Sequence, residues 1–439
     1  MRNLTGAAVS FFLMQCLSCG DSVEDVSRPN VILVIIDTLR ADHLGCYGYH
    51  RDTSPALDSL AEAGSRWKNF QAQAPWTLPA TATIFTGLNA EQHGTGRRND
   101  GDHMLHDEVP TIPSLFSEAG YRTCGIFNVA LLSRHMGFAR GFDHYSCDEY
   151  GVSRAAGTMD EFLEWLDGED DGRPFMAVLH IFDVHQPYAP PDPYGNMFFP
   201  GDTIEAVYWE ITDDGCIAHP EHLEHFLSRY DGSIRWVDSQ LGRLFAQLRD
   251  RGLADSTVIM VTADHGEEFL EWGWVGHGGN LYRQMLHVPL IVSGPGIAQG
   301  EVLTRPAGQM DILPTLLSLC SIPADHDFQG MDILDSEDDD ERPLPASQLM
   351  FRGRMLGATP LAVVRFGNLK GLVTRRGSRD SYYMFHLGED PGELEPMEPS
   401  PQMRDMLDHY RSTPMLWNPP VAGPLDSASV RALEDLGYI

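Results

Sequence analysis

Lysine is almost absent from this sequence, since Lys68 and Lys370 are the only two lysines among 439 residues. Even with arginine included, 31 basic residues face 63 acidic ones, and the formal net charge is −32 at pH 7. A protein of this charge repels polyanions at long range, so nucleic acid is not expected as a partner. Most acidic side chains should form a solvated surface, and the acidic run at residues 335–341 is interpreted as a solvated loop.

The sequence also lacks an apolar run long enough for a stable transmembrane helix. Residues 7–17 form a short apolar run after the basic Arg2, and small residues follow it, which is typical of a signal peptide over residues 1–20. Leu17-Ser18-Cys19-Gly20 resembles a bacterial lipoprotein processing site with Cys19 as the lipidated residue. We therefore expect an exported protein. It is either periplasmic after cleavage or attached to the envelope membrane through lipidated Cys19.

Metal-binding Cys-x-x-Cys pairs are missing too. Five cysteines follow the N-terminal segment, odd in number and widely spaced: Cys46, Cys124, Cys147, Cys216 and Cys320. This pattern is typical of buried thiols or of one or two disulfides at most, and the sequence does not distinguish these alternatives.

What the sequence does contain is an alternation of strand and helix patterns. Apolar runs at residues 31–36, 174–182 and 257–262 predict buried parallel strands. Helical periodicity alternates with them, at residues 54–63, 112–119, 159–166, 226–248 and 310–319. Alternation of this kind predicts an α/β sandwich, with a central, mostly parallel sheet flanked by helices.

The chain divides into two parts in this interpretation. Residues 28–330 are predicted to form the main domain, which carries the sheet. Residues 346–439 are predicted to form a small C-terminal α+β subdomain, with short antiparallel strands at 361–365 and 371–375 and a helix near 402–410.

Ligand-type side chains follow two of the predicted strands. Asp37 comes directly after the first strand, and Asp264 and His265 follow the third. Active sites of doubly wound sheets lie at these strand ends, and a divalent cation takes hard oxygen and nitrogen donors together. Asp37 alone could equally be a helix cap or a turn former.

Thr77 is the candidate nucleophile. Pro79 and the helix-favouring residues after it place Thr77 at a helix N-terminus, where free N–H groups and the helix dipole stabilise an alkoxide or a bound anion. The alternative is that Thr77 is only an N-cap residue.

Four segments in order resemble the sulfatase family of the alkaline phosphatase superfamily: residues 28–40, 77–87, 262–266 and 311–315. The resemblance continues to the C-terminus through residues 382–387 and 436–439. It implies an alkaline-phosphatase-like sandwich and one divalent metal ion, Zn, Mn, Mg or Ca. Asp37, Asp264 and His265 would hold the ion, and Thr77 would contact it as the nucleophile.

The departures from the family pattern bear on the chemistry. Thr77 stands where sulfatases carry the Cys or Ser that becomes formylglycine, so no formylglycine is expected, and Thr81 replaces the arginine of that motif. Thr38 replaces the second of two paired aspartates. Asn128 and Ala130 replace the lysine and histidine that hold sulfate. A threonine nucleophile resembles the phosphodiesterase, phosphonate hydrolase and phosphoethanolamine transferase branches, with phospho-Thr77 as the covalent intermediate.

Further candidates lie in the loops. His185 and His277 resemble family histidines that contact the substrate or the leaving group, although each could be an ordinary loop histidine. Asn128 is either a substrate hydrogen-bond donor or a structural residue at a strand end. Asp183 could help these histidines to hold a second metal ion, but its spacing favours a single ion.

Three functions remain as hypotheses. The first is a metal-dependent hydrolase or transferase that cleaves a phosphoester of the diester, phosphonate or phosphoethanolamine type, in a small-molecule, lipid or glycan substrate. The second is a true sulfuric ester hydrolase. The third is an inactive envelope lipoprotein that binds glycans or lipids.

Overall fold

The computed structural model describes residues 28–439 except for several short stretches: 99, 150–154, 169–170, 202–209, 213–214, 218–221, 274, 324–325, 327, 335–341, 349–358, 424–426 and 436–439. The predicted signal peptide and lipidation site, and the acidic run at 335–341, therefore lie outside the described residues.

The strands and helices alternate along the first two thirds of the chain. The strands are β1 Asn30–Ile36, β2 Ser65–Trp67, β3 Phe70–Gln71, β4 Gly96–Arg98, β5 Gly101–His103, β6 Arg122–Phe127, β7 His144–Cys147, β8 Phe175–Ile181, β9 Glu210–Thr212, β10 Gly215–Ile217, β11 Thr257–Ala263, β12 Glu268–Phe269, β13 Val275–Gly276, β14 Leu290–Ser293, β15 Glu301–Leu303, β16 Ala307–Gly308, β17 Leu344–Ser347, β18 Thr359–Phe366, β19 Leu369–Arg376 and β20 Arg379–His386. The helices are α1 Pro55–Glu62, α2 Thr77–Thr86, α3 Ala90–His93, α4 Ile112–Glu118, α5 Ala155–Leu166, α6 Leu223–Asp250, α7 Arg283–Leu286, α8 Ile312–Leu319, α9 Pro401–Ser412 and α10 Ser427–Asp435. Short 3-10 turns join them.

The main sheet has eight strands in the order β15-β2-β14-β11-β1-β8-β6-β7. The five strands from β11 to β7 pair in parallel, whereas β14 runs antiparallel to β11 and to β2. The predicted α/β sandwich with a mostly parallel sheet is therefore confirmed. Its central strands are fully buried because helices cover both faces, as their unbroken apolar sequences require.

The register of the central strands determines where the site lies. Ile36 of β1 pairs with Ala263 of β11 on one side and with Ile181 of β8 on the other. The residues that follow these strands, Asp37 and Asp264 among them, therefore leave the sheet side by side at its carboxyl edge.

The C-terminal part forms a second, smaller layer. Strands β17 to β20 make an antiparallel four-stranded sheet, and α9 packs on it. The apolar side chains of this layer come from both elements: Ala362, Val364, Val373, Met403 and Leu407 are all buried. The small antiparallel C-terminal layer is thus confirmed, with two more strands than the sequence indicated.

Several other predictions are settled by the structure. The helix predicted at 226–248 is part of a longer one, Leu223–Asp250, and the helix at 159–166 begins earlier, at Ala155. Among the described residues, the cysteines Cys46, Cys124, Cys147 and Cys320 are all free thiols. No described helix combines the length and the apolar composition that crossing a membrane requires.

The sheet core generates a stability prediction. Val34 lies in the middle of β1 with no exposed surface, whereas Val302 on the edge strand β15 is 44% exposed. Val34→Ala removes two buried methyl groups and leaves a cavity, so it should lower the free energy of unfolding by about 2 kcal/mol. Val302→Ala makes the same chemical change at the surface and should cost less than about 0.5 kcal/mol. Urea unfolding of both variants checks this, and equal midpoints would contradict the described burial of β1.

Candidate functional site

Three ligand-type side chains converge at the carboxyl edge of the sheet. Asp37 follows β1, and Asp264 and His265 follow β11; none of the three has exposed surface. One donor atom from each lies within 4.8 Å of the others. His265 Nε2 is 3.4 Å from Asp264 Oδ2 and 3.7 Å from Asp37 Oδ1. Two carboxylate oxygens and an imidazole nitrogen therefore face a common point.

Thr77 faces the same point from helix α2. Its Oγ1 is 3.3 Å from His265 Nε2 and 3.5 Å from Asp37 Oδ2. Helix α2 begins at Thr77 with Trp76 in the N-cap position, so the interpretation of Thr77 as an N-cap residue is wrong. Because Thr77 is the first residue of α2, its oxygen lies at the positive, N-terminal end of the helix dipole.

The donor atoms at this point suit a cation. Burial raises the pKa of Asp37 well above its usual range, and the nearby Asp264 carboxylate raises it further. Among the described groups, Asp37 Oδ1 and Asp264 Oδ2 accept no hydrogen bond although both are buried. Buried carboxylate oxygens without partners are costly unless they coordinate a metal ion. The donor set of two carboxylates, one imidazole and one hydroxyl fits a divalent cation.

Backbone contacts orient the ligand atoms. His265 Nδ1 lies 2.9 Å from the Gly266 carbonyl, and because a carbonyl only accepts, this nitrogen carries the proton and Nε2 presents its lone pair. Asp264 Oδ1 accepts from the N–H groups of His265 at 2.8 Å and of Thr38 at 3.2 Å. Thr38 has a left-handed φ of 56°, which turns the chain after Asp37 so that this contact forms. Asp264 thus keeps Oδ2 directed at the common point.

Two more histidines lie beside His265. The ring centroid of His277 is 4.6 Å from that of His265, and His185 is 4.8 Å from His277. Burial lowers the pKa of His185 well below its usual range, and the neighbouring His277 lowers it further. The structure therefore brings both sequence-predicted histidines to the metal-type cluster.

Glu267 is a site residue that the sequence interpretation missed. It has no exposed surface, and its Oε1 lies 3.1 Å from His277 Nδ1, while Oε2 accepts from the Tyr188 hydroxyl at 2.9 Å. A carboxylate on Nδ1 directs the other ring nitrogen of His277 toward the cluster. The available signal was its position directly after Asp264-His265-Gly266.

His180 was also missed. It is the one polar side chain at the end of the apolar strand β8, fully buried, with Nε2 3.5 Å from Asp37 Oδ2. Neither ring nitrogen has a hydrogen-bond partner among the described residues, and burial lowers its pKa to about 4. This contact places the ring beside Asp37, one of the metal-type ligands. A lone histidine in a strand that is otherwise apolar was the available signal.

Asn128 and Asp183 make contacts of a structural kind. The Asn128 side-chain nitrogen donates to Thr158 Oγ1 at 3.0 Å and to the backbone carbonyl of His180. One carboxylate oxygen of Asp183 accepts from Trp236 Nε1 at 2.8 Å, and the other accepts from a backbone N–H. These contacts favour the structural interpretation of Asn128 and argue against Asp183 as a ligand of a second ion.

The loop that carries His277 is connected to the segment before Thr77. The Gly278 N–H donates to the Pro75 carbonyl at 2.9 Å, and the carbonyl of Gly278 accepts from the Gln348 side chain. The two segments are therefore held in one position relative to each other.

Comparison with known proteins extends the likeness beyond the motifs. A family model described as Sulfatase matches residues 29–322. The Arylsulfatase of Clostridium perfringens is 25% identical over 454 residues, which cover 88% of this chain and 93% of that protein.

Solved structures show the same fold. A protein in complex with its substrate D-glucosamine-2-N,6-O-disulfate aligns with a TM-score of 0.75 at 19% identity, covering 88% of this chain and 98% of the other. The phosphonate monoester hydrolase of Agrobacterium radiobacter aligns with a TM-score of 0.68 at 22% identity, covering 88% and 94%.

Metal binding is the testable consequence of this geometry. Asp264→Asn removes one charged ligand, so we expect affinity for a divalent cation to fall at least about a hundredfold, measured by isothermal titration calorimetry with Zn²⁺ and Mn²⁺. The matched control is Asp183→Asn, which changes a carboxylate that is bonded elsewhere and should leave affinity and stoichiometry unchanged. Loss of a second equivalent of metal in the control would instead support a two-metal site.

Proposed function

This chain belongs to the sulfatase family, and on that premise we propose that it is a metal-dependent hydrolase or transferase that cleaves a phosphoester through a covalent Thr77 intermediate. The observation that carries the proposal is the position of the Thr77 hydroxyl, 3.3 Å from His265 Nε2 and 3.5 Å from Asp37 Oδ2 at the start of a helix. An oxygen nucleophile is thereby aimed at the point where the ligand atoms meet.

The bound cation would lower the pKa of the Thr77 hydroxyl and neutralise charge on the transferred group. Asp37, Asp264 and His265 would hold it. The side chains around this cluster would carry out the proton transfers.

In the first step Thr77, whose hydroxyl proton has passed to solvent, forms a bond from Oγ1 to phosphorus, and the bond from phosphorus to the leaving oxygen breaks. His277 would donate the proton that the leaving oxygen needs, and its contact with the Glu267 carboxylate supports this role, because a carboxylate stabilises the protonated ring. In the second step water, or an acceptor hydroxyl in a transferase, loses its proton to His277 and attacks phospho-Thr77. The bond from phosphorus to Thr77 Oγ1 then breaks, and Thr77 returns to its starting state.

The phosphoester preference rests on what surrounds the nucleophile. A threonine cannot become formylglycine, so the route that sulfatases use for sulfate release is closed to this chain. The two lysines do not supply the missing sulfate-binding cation, because Lys370 is buried against Glu393 in the C-terminal layer and Lys68 is exposed on the surface.

Sulfate ester hydrolysis is the second candidate, since the family and the relative from Clostridium perfringens carry that name. The fold is compatible with both chemistries, because a phosphonate monoester hydrolase and a glucosamine-disulfate complex resemble this chain to a similar degree. An inactive lipid- or glycan-binding lipoprotein is less favoured, because Asp37, Asp264 and His265 are all retained and converge.

The proposed location is outside the cytoplasm. The apolar segment at 7–17 and Cys19 support export with lipidation, and a glycan, lipid or small-molecule ester is then the accessible substrate.

The nucleophile is tested by substitution. Thr77→Ala should lower kcat/KM for bis-nitrophenyl phosphate at least about a thousandfold, because no covalent intermediate forms, whereas Thr77→Ser keeps the hydroxyl and should retain activity within about tenfold. Intact-protein mass after acid quench should show a phosphoryl adduct on the wild type and none on Thr77→Ala.

The same assays with nitrophenyl sulfate decide the substrate class. Faster turnover of the sulfate than of the diester would overturn the phosphoester proposal while leaving Thr77 as nucleophile. Turnover of either ester by Thr77→Ala at the wild-type rate would overturn the nucleophile itself.

The role of Glu267 gives a second test. Glu267→Gln leaves a similar shape but cannot stabilise protonated His277, so kcat should fall about a hundredfold for an ester with an alkyl leaving group and change little for one with a nitrophenyl group. The matched control, Glu268→Gln, alters a neighbouring buried carboxylate that accepts from the Trp272 N–H and Asn280. An equal loss for both leaving groups would assign Glu267 a structural role only.

A further inference from the structure

A cluster of basic side chains lies outside the catalytic ligand cluster, where the C-terminal sheet meets the main domain. Arg283 and His287 come from the main domain, and Arg365, Lys370 and Glu393 come from the C-terminal layer. Together they line a small cavity that also touches Phe70, Gln71, Leu286 and Leu387. Three permanent cations and one carboxylate meet here, in a protein whose net charge is −32.

Both oxygens of the Glu393 carboxylate already accept hydrogen bonds. Lys370 Nζ donates to both oxygens of Glu393, at 2.7 Å and 2.9 Å, and both side chains are almost completely buried. The backbone N–H of Arg283 donates to Glu393 Oε2 at 3.1 Å. Glu393 therefore neutralises Lys370 and has little capacity left for a second cation.

Arg365 makes no direct ion pair with a carboxylate of the described residues. It is only 8% exposed, and its guanidinium donates through Nε to the Gly367 carbonyl at 3.1 Å. Within the described part of the chain no ion pair joins a carboxylate to the Arg365 or Arg283 side chain, and the attraction of Glu393 for Arg365 is shared with Lys370. Burial lowers the pKa of Arg365 to about 10, and the neighbouring Arg283 lowers it further. Buried charges in folded proteins are normally paired, so this arrangement calls for an anion.

We propose that this cavity binds one small tetrahedral oxyanion, inorganic phosphate or sulfate, between Arg283 and Arg365. The guanidinium fork matches the oxygens of such an ion in a bidentate geometry. The cavity measures about 30 Å³ and opens to solvent, so a single small ion can enter it from the surface. The ion contacts both parts of the chain and thereby links the C-terminal sheet to the main domain.

This site does not depend on the proposed function. Its residues lie outside the Thr77 cluster and need no metal ion, so binding here can succeed or fail whatever the enzyme hydrolyses.

The test is equilibrium dialysis of the full chain against radiolabelled phosphate and, separately, sulfate, at an ionic strength fixed with NaCl. An Asp264→Asn background removes binding at the catalytic metal site. We expect about one oxyanion per chain in that background. Affinity should fall about tenfold or more in Arg283→Gln and in Arg365→Gln, because each loses charged donors.

The matched control is Arg376→Gln, an exposed arginine on β19 of the same sheet, which should bind like the parent. Arg283 is only half-buried, so Arg283→Gln keeps the test valid if Arg365→Gln fails to fold, as judged by circular dichroism. Binding of one ion and not the other identifies which oxyanion the site takes. No binding above background, or equal binding in the parent and Arg283→Gln, would overturn the proposal and leave the arginines solvated by water alone.

Discussion

The repulsion between two buried carboxylates is the constraint around which this protein is arranged. Asp37 and Asp264 leave adjacent parallel strands in the same register, and both lie beyond the reach of solvent. Neither can be stable there as a bare anion pair, so the surrounding groups have to supply opposite charge. The N-terminus of α2 supplies part of that charge, and a divalent cation held by Asp37, Asp264 and His265 would supply the rest. The chemistry proposed for Thr77 uses the same positive field.

The central sheet and the ligand cluster were predictable because they follow from simple patterns. Unbroken apolar runs indicate strands buried on both faces, and polar residues directly after such runs fall at one edge of the sheet. Asp37, Asp264 and His265 were found in this way, and Thr77 was found from the helix start that Pro79 indicates. The motif resemblance added the family, which the matched model and the relatives then supported independently.

Other features left no comparable pattern in the sequence. Strands β2 and β15 have three residues each and include charged side chains, so neither alternation nor an apolar run marks them. Strand β14 directly follows Pro289, and a proline at this point of the sequence indicates a loop. Glu267 and His180 depend on contacts across the fold, since a carboxylate that orients a histidine ten residues away is defined by distance and not by spacing. Asn128 was placed by analogy with a lysine, and its actual bonds to Thr158 and the His180 carbonyl belong to the packing behind the site.

The Gly278 N–H donates a hydrogen bond to the Pro75 carbonyl, and this contact connects the histidine loop to the segment that precedes Thr77. In the proposed mechanism it restrains the proton donor His277 relative to the attacking oxygen. In that mechanism the distance between Thr77 Oγ1 and His277 selects substrates by size, because the transferred group has to fit between them. A change in the length of the loop between Asp264 and His277 would then change the accepted substrate. The ligand residues at the strand ends would keep their positions.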